Sequence, residues 1–250
     1  MTNQEKVALV TGGNRGIGFE TARQLAKYSV RVLLTARSMG EAEDAVATLT
    51  QEGLANVHPV QLNITNADDR EAVARRIEQR FGYLDILVNN AGIGTPEGSG
   101  TVADKLTVNT LEAELLEVFQ TNVFAALLLT RELLPLLRKS PAGRIVNVSS
   151  QLGSLTLHAT RNEAVAYNKR YAYNASKAAL NLFTIHLAQE LDGTAIKVNS
   201  VHPGWVKTRL GTEYAPLTPE EGAKTSVQAA LLEAEGPSGA FFHLGQTLPW

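Results

Sequence analysis

The chain has 250 residues, enough for one large α/β domain, and its 44% hydrophobic and 19% charged content suits a folded globular protein. With 23 basic and 25 acidic residues the formal net charge is −2, so no broad basic surface for nucleic acid is expected. Cysteine is absent, which excludes disulfides, thiolate catalysis and cysteine-ligated metal, and favours a cytoplasmic location. No continuous apolar run approaches the roughly 20 residues that cross a bilayer. The polar residues 1–6 show no sign of a signal peptide, and we expect no membrane partner.

The first strand leads into a glycine-rich turn. Residues 7–10 are continuously apolar, which is typical of a strand buried on both faces of a parallel sheet. The turn over residues 11–18 follows at once and precedes an amphipathic helix. Glycines there let the backbone approach a pyrophosphate, and the helix N-terminus stabilises its charge. The spacing G-x-x-x-G-x-G is weak evidence alone, but between strand and helix it indicates a dinucleotide site. Its candidate residues are Gly12, Asn14, Arg15, Gly16, Ile17 and Gly18.

The end of the second strand, predicted over 30–34, indicates which dinucleotide binds. An NAD-binding domain places an acid there, on the adenosine ribose hydroxyls. This chain has Ala36 and Arg37 instead. Arg37 can form a bidentate pair with a 2′-phosphate, and Arg15 could add a second positive charge. Two solvent-exposed surface arginines are the alternative, but the pattern favours NADP(H).

Helices and strands alternate from there on, with a helix over 40–51, a strand over 57–62, a helix over 68–81 and a strand over 84–88. Asn63, after the third strand, could reach an adenine or could equally cap a turn. The fourth strand closes with Asn89, for which a structural role is favoured, followed by the small cofactor-side segment Asn90, Ala91 and Gly92.

Three polar residues follow at positions that indicate chemistry. Asn122 lies within a long apolar helix predicted over 111–138, where an amide is costly unless it is hydrogen-bonded. Ser149 and Ser150 follow a fifth strand over 143–148, at the carboxyl end where ligands bind in open α/β sheets. Ser150 has no nearby histidine or acid to activate it as a nucleophile, so it is expected to donate a hydrogen bond to a substrate oxygen.

Tyr173 and Lys177 begin the next helix and, four residues apart, share one face of it. A nearby positive charge favours a phenolate, so Lys177 is expected to lower the pKa of Tyr173 toward the working range. A sixth strand over 195–201 runs into a turn with Pro203, Gly204, Val206 and Thr208. Thr218 and Pro219 then start a helix, and residues 240–242 form a last edge strand.

Segments 94–110, 151–170 and 205–217 carry the least pattern and are the predicted walls of a substrate pocket. The five histidines show no metal-ligand spacing, so no metal is expected. There is no repeat and no linker, and the chain is interpreted as a single domain over 1–250.

In order along almost the whole chain, these motifs resemble the short-chain dehydrogenase/reductase family. The tail, with Pro203-Gly204-Trp205-Val206-Lys207-Thr208, Pro219-Glu220-Glu221-Gly222-Ala223 and a terminal Trp250, resembles its carbonyl reductase branch. The resemblance implies a doubly wound Rossmann fold with a mostly parallel seven-stranded sheet. It also implies an NADPH-dependent reductase of small ketones or aldehydes, reversible toward oxidation of a secondary alcohol.

By the same resemblance, Tyr173 donates the proton and Lys177 holds the nicotinamide ribose and keeps the phenol acidic. Ser150 orients the carbonyl, and Asn122 holds a water that relays protons through Lys177. Ser150 is preferred to Ser149 as the second of the pair. Tyr167 and Tyr171 are rejected because neither has a lysine four residues later. Val206 and Thr208 are implied to contact the carboxamide, and Asn90 the cofactor ribose.

Two departures from the family pattern matter. Asn63 stands where many members have aspartate, and the segment from Ser150 to Tyr173 is longer than in the compact tetrameric members. The longer segment favours a monomer, with a homodimer as the alternative. Other functions considered are a 3-oxoacyl-thioester reductase and an NADP-sensing or scaffold protein without chemistry. The identity of the carbonyl substrate is not readable from the sequence.

Overall fold

The computed structural model describes residues 5–94, 107–166 and 170–250, and places all its strands in one sheet. The strand order is β3-β2-β1-β4-β5-β6-β7-β8. β1 pairs with both β2 and β4, so the chain reverses direction across the sheet at β1 and leaves a crevice at the carboxyl ends. The strands are Val7–Val10, Arg31–Ala36, Val57–Gln61, Ile86–Asn89, Arg144–Val148, Lys197–Val201, Ala240–His243 and Gln246–Thr247.

The seven parallel strands are those that the sequence predicts, and the doubly wound α/β fold is confirmed. The eighth strand was not predicted, because it has only two residues and pairs antiparallel with β7 across a short turn. In that turn Leu244 and Gly245 both have positive φ. A pair of polar residues carries no periodic signal, so only the fold reveals this strand.

Helices cover both faces of the sheet. On one face α1, α2 and α9 bury residues such as Leu25, Leu49 and Val227. On the other face α3, α5 and α8 bury Ile77 and Leu133, among others. Successive residues of each strand point to opposite faces, so both faces of the central strands are apolar. The helices are α1 Gly16–Lys27, α2 Met39–Gln51, α3 Ala67–Arg80, α4 Glu112–Phe119, α5 Ala126–Leu137, α6 Leu155–Ala159, α7 Glu163–Ala166, α8 Tyr171–Glu190 and α9 Pro219–Ala230.

The long helix predicted over 111–138 contains a wider turn in its middle. A π-helical turn, Gln120–Ala125, joins α4 to α5 and contains Asn122. Among the described residues, Glu112–Leu137 is the one helical stretch long and apolar enough to cross a membrane by length and composition. Leu129 and Leu133 in that stretch are fully buried in the core. The apolar core helix of a folded domain can have the same length and composition as a membrane-spanning helix.

The segment predicted as a loop over 151–170 contains helical structure, so that part of the prediction is wrong. Gln151–Gly153 forms a 3-10 turn, and α6 and α7 follow it. Side-chain oxygens of Ser154 and Asn162 accept hydrogen bonds from backbone N–H groups at the starts of α6 and α7. The helices are too short for periodicity to show. In the neighbouring predicted loop, 95–106 lie outside the described residues, and Thr107–Asn109 forms a 3-10 turn.

The predicted start of α9 is confirmed. Thr218 is the N-cap, Pro219 occupies the first helical turn, and Glu221 completes a capping box with Thr218. The preceding predicted loop, 205–217, is held at its two ends by a bridge between Val206 and Leu217. Both ends of this segment are therefore fixed next to the carboxyl edge of the sheet.

Candidate active site

The glycine-rich turn lies at the carboxyl end of β1, as predicted. Gly12 and Gly16 have φ of +60° and +57°, a backbone region that favours glycine. At Gly18 a side chain would overlap the carbonyl oxygen of Gly12 and the amide of Asn90, so no larger residue fits there. The N-cap of α1, Arg15, makes no side-chain capping bond. The first N–H groups of α1 are thus left for an anionic ligand.

Asn90 and Thr11 tie this turn to the end of β4. Nδ2 of Asn90 donates to the carbonyl oxygens of Thr11 at 2.8 Å and Gly12 at 3.1 Å. The Thr11 hydroxyl accepts from the backbone N–H groups of Asn90 and Ala91, both at 2.9 Å. The side-chain donor of Asn90 therefore shapes the cradle. Asn89 donates to Asn147 and Thr130, which is the structural role expected for it.

At the other end of the crevice, Arg37 follows β2 and is exposed, as is Arg15. Asn63 uses its side-chain oxygen to accept from the backbone N–H of Thr65 at 3.2 Å and from its hydroxyl at 2.9 Å. This is the turn-capping interaction that was the alternative to an adenine contact. The adenine contact stays a prediction.

Tyr173 and Lys177 lie in the first turns of α8, beside the carboxyl end of β5. Lys177 is 5% exposed, and its Nζ donates to the carbonyl oxygen of Val148 at 2.8 Å. The same Nζ lies 5.7 Å from the centre of the Tyr173 ring. A Cβ on Gly92 would lie 3.5 Å from Nζ and 3.2 Å from Oδ1 of Asn122. Gly92 thus leaves room for both polar groups at the end of β4.

The two serines after β5 face different partners. The Ser150 side chain hydrogen-bonds that of Tyr173, and its oxygen also accepts from the backbone N–H of Leu152 at 3.2 Å. The Ser149 hydroxyl donates to the backbone carbonyl of Lys177 at 3.4 Å. The structure therefore brings Ser150, and not Ser149, to the Tyr173 hydroxyl. Of the two rejected tyrosines, Tyr171 is 47% exposed, and Tyr167 lies outside the described residues.

The pKa values in this cluster differ from the prediction. Burial raises the pKa of the Tyr173 hydroxyl to about 12, and this outweighs the lowering by the Ser150 hydrogen bond and the positive charge of Arg170. The expectation that Lys177 lowers the pKa of Tyr173 is therefore wrong: the groups that lower it are Ser150 and Arg170. Burial also lowers the pKa of Lys177 itself, to about 8. The spacing of Tyr173 and Lys177 in the sequence does not show that the fold buries both side chains away from water.

Both polar atoms of the Asn122 side chain are hydrogen-bonded. Oδ1 accepts from the backbone N–H of Ile93 at 2.8 Å, and Nδ2 donates to the carbonyl of Ile93 at 2.9 Å and to the Ser176 hydroxyl at 3.0 Å. These bonds join the π-helical turn to the end of β4 and to α8. Asn122 therefore holds the elements that carry Gly92 and Lys177 at fixed positions.

The turn after β6 closes over the glycine cradle. Gly204 has a φ of +89°, and Pro203 precedes it. Val206 is buried, and the methyl group of Thr208 would lie 3.2 Å from a Cβ on Gly16. The Thr208 hydroxyl accepts from the backbone N–H of Gly211 at 3.1 Å. The predicted residues of this turn thus reach the same crevice as the glycine turn.

Two features of the site were missed by sequence reasoning. Arg170 lies just before α8, and its charge acts on Tyr173 from three residues away. The Leu210 side chain lies so close to Gly94 that a side chain at position 94 would overlap it. The predicted pocket walls 94–110 and 205–217 therefore meet at this point. The i, i+3 spacing of Arg170 and Tyr173 is visible in the sequence and could have indicated their interaction. Nothing in the sequence indicates the contact of Leu210 with Gly94. The described residues contain no group of three potential metal ligands.

Comparisons with known proteins match this geometry. A family model described as short chain dehydrogenase matches residues 6–217. Carbonyl reductase [NADPH] 1 of Mus musculus is 34% identical, and the alignment covers 100% of both chains. (−)-Isopiperitenone reductase of Mentha piperita is 33% identical over 97% of each chain. The crystal structure of NADPH-bound carbonyl reductase from chicken fatty liver has a TM-score of 0.84 at 28% identity, and covers 99% of this chain and 100% of that one.

Proposed function

Because this chain belongs to the short-chain dehydrogenase/reductase family, we propose that it reduces a small ketone or aldehyde with NADPH, reversibly, and that Tyr173 donates the proton. It is an NADP-dependent oxidoreductase of the carbonyl reductase type. The observation that carries the role of Tyr173 is its hydrogen bond to Ser150 beside the buried ammonium of Lys177, at the carboxyl end of the sheet. Lys177 in this group lies beside Gly92, at the end of β4.

The residues of the crevice fit NADP(H). Only glycine fits at position 18, so the backbone is bare where a pyrophosphate would approach. Arg15 and Arg37 are exposed at the adenosine end and would hold a 2′-phosphate. Gly16, Ile17 and Asn14 would complete the pyrophosphate side. The small segment Asn90, Ala91 and Gly92 would border the ribose, and Pro203, Gly204, Val206 and Thr208 would border the nicotinamide.

When bound, NADPH supplies a hydride to the carbonyl carbon. Ser150 would hold the carbonyl oxygen by a hydrogen bond and keep it within reach of the Tyr173 hydroxyl. A pKa near 12 keeps Tyr173 protonated at neutral pH. As the carbonyl oxygen gains negative charge it becomes more basic than a tyrosinate, so the proton moves from Tyr173 to that oxygen and the product is the alcohol.

Lys177 and Asn122 would then return a proton to Tyr173. Lys177 has three N–H groups, and one of them is bonded to Val148. The others would hold the ribose hydroxyls and a water at Asn122, along which a proton reaches the tyrosinate. A pKa near 8 would let Lys177 exchange a proton near neutral pH.

The test is consumption of NADPH with a panel of carbonyl compounds, in the parent and in Tyr173→Phe. The phenyl ring keeps the packing and lacks the hydroxyl that gives the proton, so NADPH should still bind while turnover falls about 10²–10⁴-fold. Tyr171→Phe is the matched control, because it removes a hydroxyl from an exposed tyrosine in the same helix. Equal turnover of Tyr173→Phe and the parent would remove Tyr173 from the mechanism. A protein that binds NADPH but reduces no compound would instead be a sensor or scaffold.

We also propose a cytoplasmic monomer that has no nucleic-acid or membrane partner, with a homodimer as the alternative. The long segment between Ser150 and Tyr173 supports the monomer. Leu116 in α4, Phe124 in the π-helical turn and Leu182 in α8 are exposed, and a second copy would dock on them. Light scattering should give 26.9 kDa for the monomer. Twice that mass, returned to one copy by Phe124→Glu, would establish the dimer.

A further inference from the structure

A groove between α1 and α2 lies next to the two arginines proposed for the 2′-phosphate. Arg15 and Phe19 line it from α1, and Glu41, Asp44 and Thr48 line it from α2. The Ser38 oxygen accepts from the backbone N–H of Glu41, which places Glu41 one helical turn from the end of β2 and Arg37. The groove therefore continues from the adenosine end of the crevice.

The charges on this groove have opposite signs on its two sides. Arg15 faces two carboxylates, those of Glu41 and Asp44, and all three residues are exposed. Within the described residues none of them forms an ion pair, and Arg37 forms none either. Arg15 is one cation against two acids, so the groove keeps a net negative charge, and its field reaches any anion held by Arg15 and Arg37.

We infer that Glu41 and Asp44 are specificity-determining residues that weaken the binding of a 2′-phosphate and so reduce the preference for NADP(H) over NAD(H). The inference rests on the proposed function. A doubly charged phosphate held by Arg15 would lie across the groove from two exposed carboxylates, which would repel it through water. At low ionic strength this should cost about threefold to tenfold in affinity.

The experiment measures binding of adenosine 2′,5′-bisphosphate and of AMP by calorimetry, independently of turnover. The double variant Glu41→Gln/Asp44→Asn should bind the bisphosphate about threefold to tenfold more tightly than the parent and AMP with unchanged affinity. In about 0.5 M salt the gain should shrink, since screening is then nearly complete. Glu41→Gln alone should give part of the gain.

Glu43→Gln is the matched control, because Glu43 is exposed on the same helix but does not line the groove. An unchanged affinity in the double variant would overturn the inference, and so would an equal gain in Glu43→Gln. A loss of affinity would also overturn it, since the acids would then serve to position Arg15. If the parent bound both nucleotides equally, the NADP(H) proposal itself would fail, and the inference with it.

Discussion

The Nζ atom of Lys177 lies 5.7 Å from the centre of the Tyr173 ring, and both side chains are withdrawn from water at the end of β5. Burial acts on them in opposite directions, raising the pKa of the phenol to about 12 and lowering that of the ammonium to about 8. The cleft thus moves the two pKa values apart, from usual values that are nearly equal, 10.0 and 10.5, to about 12 for the phenol and about 8 for the ammonium. Keeping a charged lysine there has a cost in stability that can be measured.

Lys177→Met should abolish reduction and yet stabilise the fold. The folded pKa of Lys177 lies below its usual 10.5, so the folded protein resists protonation more than the unfolded chain does. This penalty is complete below pH 8 and disappears as the pH rises from 8 to 10.5. Allowing for the lost bond to Val148, the variant should gain about 1–3 kcal/mol in free energy of unfolding at pH 7.

Urea unfolding at pH 7 and near pH 10 measures that gain. The difference between variant and parent should shrink at the higher pH. A variant less stable than the parent at pH 7 would show that the buried ammonium stabilises the fold instead.

Ser150→Ala should lower kcat about 10²–10³-fold with a smaller change in KM, because the hydrogen bond to the reacting oxygen strengthens as charge develops on it. Ser149→Ala is an unusually close control. Its hydroxyl donates to the backbone of Lys177 and does not contact Tyr173, so most of the activity should remain. Steady-state kinetics of both variants decide the matter, and equal losses in the two would argue against a separate role for Ser150.

Arg37→Asp should reverse the cofactor preference. The substitution replaces a cation that can pair with a 2′-phosphate by an anion that repels it and can accept from ribose hydroxyls. The ratio of kcat/KM for NADPH to that for NADH should fall about 10–100-fold or more. Arg76→Asp, exposed in α3, makes the same change of charge away from the end of β2 and should leave the ratio unaltered. An unchanged ratio in Arg37→Asp would contradict the assignment.

His202 should make the fold sensitive to acid. Burial and the neighbouring His243, whose ring centre is 5.1 Å away, lower the pKa of His202 to about 3. Between pH 6.5 and 3 the unfolded chain binds a proton that the folded protein refuses, so stability is complete above pH 6.5 and falls as the pH falls. The slope from this one group is up to about 1.4 kcal/mol per pH unit.

His202→Phe should remove that part of the slope, which thermal unfolding between pH 7 and 4 would show. His186→Phe, exposed on α8, should leave the slope as it is in the parent. If both variants kept the parent's slope, another buried group would be responsible for it.

The sequence by itself determined the order of the elements and the local arrangement of the functional groups. These features depend on neighbours along the chain. They are the continuously apolar strands, the glycines between strand and helix, and the four-residue spacing of Tyr173 and Lys177. The fold class and the position of the glycine cradle followed from these patterns, and so did the caps of α9 at Thr218. Each of them depends on backbone geometry within a few residues.

Only the tertiary structure decided the electrostatics of the site and the hydrogen-bond partners of its side chains. The pKa of Tyr173 rises because segments distant in the chain exclude water from it, and no spacing rule contains that information. The same is true of the Ser149 hydroxyl, which bonds to the backbone of α8, and of the π-helical turn, whose Asn122 side chain hydrogen-bonds Ile93 after β4. Desolvation and long-range hydrogen bonds are properties of packing, so they exist only once the sheet and its helices are assembled.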